Sequence, residues 1–303
     1  MRLGTFENEH RQVRGYKIRK RHGVWQKSRL LSLALSAESD FERGMDMTQA
    51  EKISYLITEL KKESPQYAKL SVPGDVAEQK LLLRALFNVR APMAASGEFL
   101  KIQDEYLKAE IRQKGITDIG SLKAIQTDTY LWQGDITTLG CDAIVNAANS
   151  ALLGCFCPNH GCIDNAVHTF AGIELRLACN EIMQKQGYGE PVGRAKITPA
   201  YNLPCRFIIH TVGPLICGKP TDEDCKLLRA CYRSCLKIAD ENSLKSIAFC
   251  CISAGEFHFP NDKAAEIAVN AVREYKAETQ SKIKVIFDVF KDEDYEIYRK
   301  LLG

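Results

Sequence analysis

From residue 130 to the end of the chain, short apolar runs alternate with longer amphipathic stretches, and this pattern constrains the fold more than any other feature. Several runs, such as Phe207–Val212, are almost wholly apolar, which is typical of strands in a sheet that helices cover on both faces. The predicted strands are Tyr130–Trp132, Ala143–Ala147, Ala195–Ala200, Phe207–Val212, Ser246–Ile252 and Lys284–Val289. The predicted helices are Asp164–Gln186, Asp222–Asp240, Asp262–Ala277 and Asp292–Leu301. We therefore predict a three-layer α/β domain over residues 125–303.

A helical segment is predicted before this domain, over residues 47–124. Thr48-Gln-Ala-Glu51 fits a capping box, in which the Thr and Glu side chains satisfy free amides at a helix start. Apolar residues follow at helical spacing, and further helices are predicted over about Val76–Val89 and Glu98–Gln113. Nothing in these three helices suggests chemistry, so we interpret them as a cap or a small subdomain.

Residues 1–46 do not resemble a folded domain. Eight basic residues and no acid lie between Arg11 and Arg29, which is too polar to close a core. We predict a disordered basic tail. Two alternatives stay open: a mitochondrial transit peptide that includes the apolar patch Leu30–Ala37, or a translation start at Met45 or Met47.

The chemistry of the cysteines and the charge balance limit the cell compartment and the partners. All twelve cysteines lie between Cys141 and Cys251, many of them in apolar runs, which favours reduced thiols and a cytoplasmic protein. The net charge is only +3 and is concentrated near the N-terminus, so we expect no nucleic-acid partner. No apolar run approaches the roughly 20 residues that a membrane span needs, so we expect no membrane partner.

One loop combines soft metal ligands at short spacing. Cys155-x4-His160-x-Cys162 places two thiols and an imidazole on one tight turn, a set that suits Zn²⁺. Three protein ligands would leave a fourth position open, as in catalytic zinc sites. Cys157 could instead supply a fourth thiolate and close a structural site, and buried reduced thiols without a metal are a further alternative.

Three other loops follow predicted strands, where ligands bind in sheets of this type. Asp135 could accept hydrogen bonds from an exocyclic amine, or could merely cap a turn. Asn146 and Asn149 could bind ribose hydroxyls, or could satisfy loop backbone. Ser253–Pro260 could present backbone N–H groups to a diphosphate. The chain has neither a Walker A loop nor a G-x-G-x-x-G turn, which argues against a nucleotide hydrolase and a dinucleotide-dependent dehydrogenase.

Taken together, Gly134-Asp-Ile-Thr137, Ala143-Ile-Val-Asn-Ala-Ala-Asn-Ser150 and Ser253-x-Gly-x-Phe-x-Phe-Pro260 resemble the macrodomain family of ADP-ribose-binding proteins. The cysteine–histidine loop resembles the zinc-dependent branch of protein-ADP-ribose hydrolases, as does the helical segment before residue 120. The resemblance implies an α/β/α fold with a mixed central sheet. Residues 1–46 are not part of this resemblance.

The resemblance also implies a role for particular residues. Asp135 and the backbone of Ile136 would bind the adenine end, and Asn149 would face the distal ribose. The residues that would surround the diphosphate and the distal ribose are Ser253, Ala254, Gly255, Glu256 and Phe257 on one side, and Ile163, Asp164 and Asn165 on the other. Ala254 replaces a more usual threonine, which removes a hydroxyl contact but keeps the backbone donors, so binding is expected to be weakened and not abolished.

The implied function is hydrolysis of the bond between ADP-ribose and a modified protein side chain. Zn²⁺ held by Cys155, His160 and Cys162 would be the cofactor, and Asp164 would orient or deprotonate the attacking water. The expected partners are an ADP-ribosylated protein and ADP-ribose itself. The alternatives are a non-catalytic ADP-ribose reader with a structural zinc, an O-acyl-ADP-ribose esterase and a structural adaptor.

Overall fold

A seven-stranded mixed sheet forms the centre of the computed structural model, which describes residues 47–303. The strands of this part of the chain are β1 (Thr117–Asp118), β2 (Ala124–Gln126), β3 (Thr129–Gln133), β4 (Leu139–Gly140), β5 (Ala143–Ala147), β6 (Ala195–Pro199), β7 (Phe207–Thr211), β8 (Ser246–Phe249) and β9 (Lys284–Val289). The sheet order is β2-β3-β9-β8-β5-β7-β6, while β1 and β4 form a separate two-stranded pair. Neighbouring strands from β3 to β7 are parallel, and the edge strands β2 and β6 are antiparallel.

Nine α-helices lie within residues 47–303. They are α1 (Gln49–Lys62), α2 (Pro65–Ala68), α3 (Val76–Val89), α4 (Gly97–Lys114), α5 (Ile163–Ala171), α6 (Ile173–Gln186), α7 (Asp222–Glu241), α8 (Asn261–Thr279) and α9 (Asp292–Leu302). All four residues of β8 are buried. Because successive side chains of a strand point to opposite faces, both faces of the sheet are covered. The predicted α/β fold class with a mixed sheet is therefore confirmed.

The predicted helix Asp164–Gln186 is wrong in one respect, since it is two helices that meet at Gly172. Gly172 has a φ of +102°, a conformation that favours glycine, and this ends α5 before α6 begins. A Cβ at this position would lie 2.7 Å from Nε2 of Gln103 in α4, so the chain also approaches α4 closely there. The predicted strand Ser246–Ile252 also ends early, at Phe249, so that Cys250–Ser253 leaves the sheet.

The helical segment that was predicted before the sheet is present, and residues 47–303 form one compact unit. Thr48 and Glu51 form the predicted capping box, with each side chain bonded to the other residue's backbone N–H. Helices α1, α3 and α4 share a hydrophobic cluster that also includes Ile173 of α6. The predicted basic tail, residues 1–46, lies outside the described residues. None of the helices in residues 47–303 combines the length and the apolar character that crossing a bilayer requires.

Candidate active site

Four loops with unusual chemistry meet at one edge of the sheet. Strands β3, β9, β8 and β5 are neighbours and run parallel, so their carboxyl ends lie side by side. The loops that leave these ends carry Asp135, Phe290, Ser253 and Asn149, respectively. This edge is where open α/β sheets bind ligands.

The predicted metal ligands lie together in the metal loop, defined here as residues 153–162. One ligand atom from each of Cys155, His160 and Cys162 lies within 4.8 Å of the other two. Sγ of Cys155 and Nδ1 of His160 are 3.7 Å apart. Tetrahedral coordination at the usual Zn–S and Zn–N lengths would separate such atoms by about 3.6 Å. The donor set and its spacing therefore fit a zinc ion.

Cys157 takes no part in this group. Its side chain is exposed, whereas the three candidate ligands are each partly buried. The structure thus brings together three protein ligands, as in zinc sites that keep one position open. Nε2 of His160 lies 3.7 Å from Oε1 of Glu256, so the metal loop faces the loop that follows β8. A carboxylate near the second nitrogen of a histidine ligand commonly orients its ring.

Asp164 lies in the first turn of α5, directly after the metal loop. It is only 5% exposed, and Nδ2 of Asn146 donates to its Oδ1 over 2.8 Å. Nδ2 of Asn149 approaches its Oδ2 at 3.4 Å. Burial raises the pKa of Asp164 to about 6, against the lowering effects of the Asn146 hydrogen bond and the Arg176 charge. The carboxyl group is therefore held in one orientation by two carboxamides at the exit of β5.

A chain of hydrogen bonds through His210 and Thr198 holds the side chain of Asn146 in place. Nδ2 of Asn146 also lies 3.2 Å from Nδ1 of His210, and Nε2 of His210 lies 3.0 Å from Oγ1 of Thr198. Because Asn146 donates, Nδ1 of His210 must accept, so Nε2 carries the proton and donates to Thr198. Burial lowers the pKa of His210 to about 4, which keeps the ring neutral. Asn146 is fully buried, so of the two asparagines only Asn149 is accessible to a ligand.

A second group of possible ligands, His168, Cys179 and His210, is fully enclosed behind Asp164. Both ring nitrogens of His210 already have partners, namely Asn146 and Thr198. Among residues 47–303, neither ring nitrogen of His168 has a hydrogen-bond partner, and its Nε2 lies 3.6 Å from Oδ1 of Asp164. We therefore interpret this group as part of the buried core behind Asp164.

The loop after β8 presents a row of backbone donors. The backbone N–H groups of Gly255, Glu256 and Phe257 have no hydrogen-bond acceptor within residues 47–303. Those of Ala254 and His258, in contrast, donate to carbonyl groups of the same loop. Ser253 has a φ of +64° and His258 a φ of +56°, which turns the chain sharply at both ends. Successive free amides of this kind form an anion-binding concavity. The prediction that residues 253–257 bind a diphosphate has a physical basis in these donors.

Asp135 performs the turn-capping role that the sequence also allowed. Its Oδ1 accepts hydrogen bonds from the backbone N–H and the hydroxyl of Thr137, and its Oδ2 bonds Nζ of Lys114 at 2.8 Å. Burial acts to raise the pKa of Asp135, but the hydrogen bonds from Lys114 and Thr137 outweigh it and lower the pKa. The side chain remains 38% exposed, so the ionised carboxylate is also accessible to a ligand. The side chain of Ile136 is buried, so only its backbone could take the predicted role at the adenine end.

Phe290 is a candidate site residue that sequence reasoning missed. It follows directly after β9 and is 77% exposed. The preceding residue, Val289, accepts a hydrogen bond from the N–H of Gly134, which places Phe290 next to the loop of Asp135. An exposed aromatic ring beside a polar acceptor suits a stacked base. The only signal in the sequence was an aromatic residue directly after an apolar strand.

Asn165 is placed differently from its predicted role. It is fully buried, and its Nδ2 donates to the carbonyl oxygen of Cys157 at 3.0 Å. Its Oδ1 accepts hydrogen bonds from Arg84 at 2.8 and 3.2 Å. The side chain of Asn165 therefore already bonds the metal loop and Arg84, and it is too buried to contact a ligand. Ile163 is partly buried. Its backbone N–H group and that of Asp164 have no hydrogen-bond acceptor within residues 47–303.

Replacing Gly154 by alanine should destabilise the metal loop. Gly154 has a φ of +82°, and an added Cβ would lie 2.7 Å from Cγ of the buried His168 ring. The backbone strain and the overpacking should together lower the free energy of unfolding by about 2–4 kcal/mol. Gly161→Ala, in the same loop but with open space and no positive φ, is the control and should change it by less than about 1 kcal/mol. Denaturant unfolding of both variants measures this difference, and equal stabilities would contradict the packing argument.

Comparison with known proteins assigns the chain to a family. A family model described as Macro domain matches residues 145–268. A relative from Treponema medium named Protein-ADP-ribose hydrolase is 55% identical over 261 residues, which is 85% of this chain and all of the relative. One of the same name from Staphylococcus aureus (strain MRSA252) is 49% identical and covers 82% of this chain and 94% of its own.

Solved structures of macrodomains are also similar to this chain. The Oceanobacillus iheyensis macrodomain with ADP is 37% identical with a TM-score of 0.54, over 60% of this chain and 93% of that one. The Trypanosoma brucei macrodomain in complex with ADP-ribose is 29% identical with a TM-score of 0.56, over 72% of this chain and 95% of that one. The chain belongs to the macrodomain family, and its resemblance to this family is thereby confirmed.

Proposed function

We propose that this protein is a zinc-dependent hydrolase that removes ADP-ribose from modified protein side chains. The observation that carries the proposal is the meeting of three groups at one sheet edge: the metal loop, the buried carboxyl group of Asp164 and the free amides of residues 255–257. The relatives that share about half of its residues over most of its length are named Protein-ADP-ribose hydrolase, which supports the activity.

ADP-ribose would lie along the edge of the sheet. The adenine stacks on Phe290, and its exocyclic amine donates to Asp135, whose carboxylate keeps exposed surface. The diphosphate accepts hydrogen bonds from the free amides of residues 255–257 and from the N-terminus of α5, where the helix dipole adds attraction. The distal ribose then reaches Asn149 and Asp164, beside the metal loop.

Asp164 acts on the water that attacks the distal ribose. Its carboxylate takes the proton from that water, while the water oxygen forms a bond to the anomeric carbon. The bond from that carbon to the protein side chain breaks, and the side chain leaves with the electron pair. The proton that Asp164 took then passes to the leaving side chain or to solvent, which restores the carboxylate. Asn146 and Asn149 hold the carboxylate in the orientation that this transfer needs. A zinc ion on Cys155, His160 and Cys162 supplies a Lewis acid beside this ribose.

The proposal is tested with purified protein and model proteins that carry ADP-ribose on a defined side chain. Released ADP-ribose is measured with and without a zinc chelator, and again after zinc is restored. Release from at least one linkage, lost on chelation and recovered with zinc, is the expected result. Binding of ADP-ribose without release from any linkage would indicate a reader, and turnover confined to free O-acyl-ADP-ribose would indicate an esterase. Either result would overturn the proposal.

Phe290→Ala should weaken the binding of ADP-ribose because a stacked base contributes about 1–3 kcal/mol. We expect the dissociation constant measured by calorimetry to rise roughly 10-fold. Ribose 5-phosphate lacks the base, so its affinity should be the same for both proteins and serves as the control. An unchanged dissociation constant for ADP-ribose would mean that the adenine does not lie on Phe290.

A further inference from the structure

Helix α3, which belongs to the helical segment before the sheet, lies directly against the metal loop. Nη2 of Arg84 donates to the carbonyl oxygen of His160 at 3.0 Å, next to a candidate metal ligand. Oδ1 of Asn88, one helical turn later, accepts a hydrogen bond from the N–H of Asn159 at 2.9 Å. Two successive turns of α3 thus bind two successive residues of the metal loop.

Asn165 extends this contact to the rest of the loop. Its Oδ1 accepts two hydrogen bonds from Arg84, and its Nδ2 donates to the carbonyl oxygen of Cys157 at 3.0 Å. Nδ2 of Asn88 in turn donates to Oγ1 of Thr169, which donates to the carbonyl oxygen of Asn165. Arg84, Asn88 and Asn165 therefore form one connected network behind the metal loop.

The other end of the metal loop is tied to the same helix. Nε of Arg176 donates to the carbonyl oxygen of Leu153 at 2.7 Å, where the loop begins. Nη1 of Arg176 donates to the carbonyl oxygen of Phe87 at 2.9 Å and also to that of Arg90. Both carbonyl groups belong to the last turn of α3 and the residue that follows it, so α3 anchors the metal loop at its start and near its end.

We infer that α3 is a structural part of the metal centre, and that Arg84 and Asn88 are positioning residues that set the spacing of the metal ligands. The metal loop contains no helix or strand, so its backbone has to be ordered by contacts from outside. Asn88 is 1% exposed, and a buried carboxamide is costly unless its hydrogen bonds are satisfied. The metal loop supplies one of these partners.

The inference rests on the proposed metal site, and metal affinity is its most direct test. Loss of an outer partner typically weakens metal binding about 10- to 100-fold. We expect such a loss for Arg84→Met and for Asn88→Ala. The control is Lys80→Met, which removes a cation one turn earlier on the same helix, where Lys80 pairs with Glu110 and not with the loop. Its metal affinity should stay within about twofold of the unchanged protein.

The measurement is a titration of the metal-free protein with Co²⁺, whose thiolate charge-transfer and ligand-field bands report ligand geometry, followed by competition with Zn²⁺. We expect Arg84→Met to shift these bands as well as to weaken binding. Arg84→Lys retains the charge but not the two-pronged contact, and should give an intermediate affinity. If Arg84→Met does not fold, Arg84→Lys and Asn88→Ala decide the question.

The outcomes separate the two hypotheses. If the unchanged protein binds neither Co²⁺ nor Zn²⁺ through Cys155, His160 and Cys162, the metal site itself is wrong. If it binds the metal and the Arg84 and Asn88 variants match it in affinity and spectrum, the metal site stands and the role of α3 is overturned. Weakened binding in these variants alone, with Lys80→Met unchanged, supports the inference.

Discussion

Asp164→Asn should lower the rate of ADP-ribose release by at least about 100-fold, because a positioned general base typically contributes about 100- to 10,000-fold. The carboxamide has almost the same shape and can still accept the hydrogen bond from Nδ2 of Asn146 at Oδ1. It cannot take a proton from water. ADP-ribose affinity should therefore stay within about threefold, so that the loss appears in kcat and not in KM.

Single-turnover release from an ADP-ribosylated protein measures this effect, with calorimetry for the affinity. The matched control is Asp222→Asn, which changes an exposed acid in the first turn of α7, as Asp164 lies in the first turn of α5. The control should keep full activity. If Asp164→Asn retained more than about a tenth of the rate, a general base would be excluded as the role of Asp164.

The fold was largely predictable from the sequence because it follows from local patterns. The short, mainly apolar runs at β5 and β9 predicted these strands with their observed bounds, and the capping box at Thr48 predicted the start of α1. The break at Gly172 was not predictable, because a glycine within an amphipathic pattern is compatible with one long helix. What requires the break is its positive φ, together with the close approach of Gln103, a residue about 70 positions earlier in the chain.

The site was predictable where its residues are close in sequence. Cys155, His160 and Cys162 lie within eight residues, so their spacing alone indicated a common ligand, and the structure brings them together. Arg84 and Asn88 lie about 70 residues before their partners, and nothing local marks a helix side chain that caps a distant loop. These helices were interpreted as free of chemistry, whereas their side chains bind the metal loop.

Exposure was a second limit on the predictions. Val289 and Phe290 are consecutive apolar residues in the sequence, yet Val289 is 1% exposed and Phe290 is 77% exposed. Asn165 shows the reverse, since a polar residue beside Asp164 was expected to face a ligand and is fully buried. Which side of a strand or helix end meets solvent depends on the packing of the whole domain.

The largest effect on metal content should come from Cys155→Ala. The variant removes one of three ligand atoms that lie within 4.8 Å of one another. Its zinc affinity should fall by more than the roughly 10- to 100-fold that loss of an outer partner costs. Hydrolysis should fall in parallel, because the Lewis acid beside the ribose is lost. Metal analysis after dialysis against a chelator, together with ADP-ribose release, measures both quantities.

Cys157→Ala is the matched control, because it removes the same group two residues away in the same loop. Cys157 is exposed and lies outside the ligand group, so zinc content and hydrolysis should both stay within about twofold. If Cys157→Ala instead loses zinc as fully as Cys155→Ala does, four protein ligands surround the ion. A closed site of that kind supports the loop but cannot present a Lewis acid to the ribose. Hydrolysis would then depend on Asp164 without direct help from the metal, so the two cysteine variants decide between an open catalytic zinc and a closed structural one.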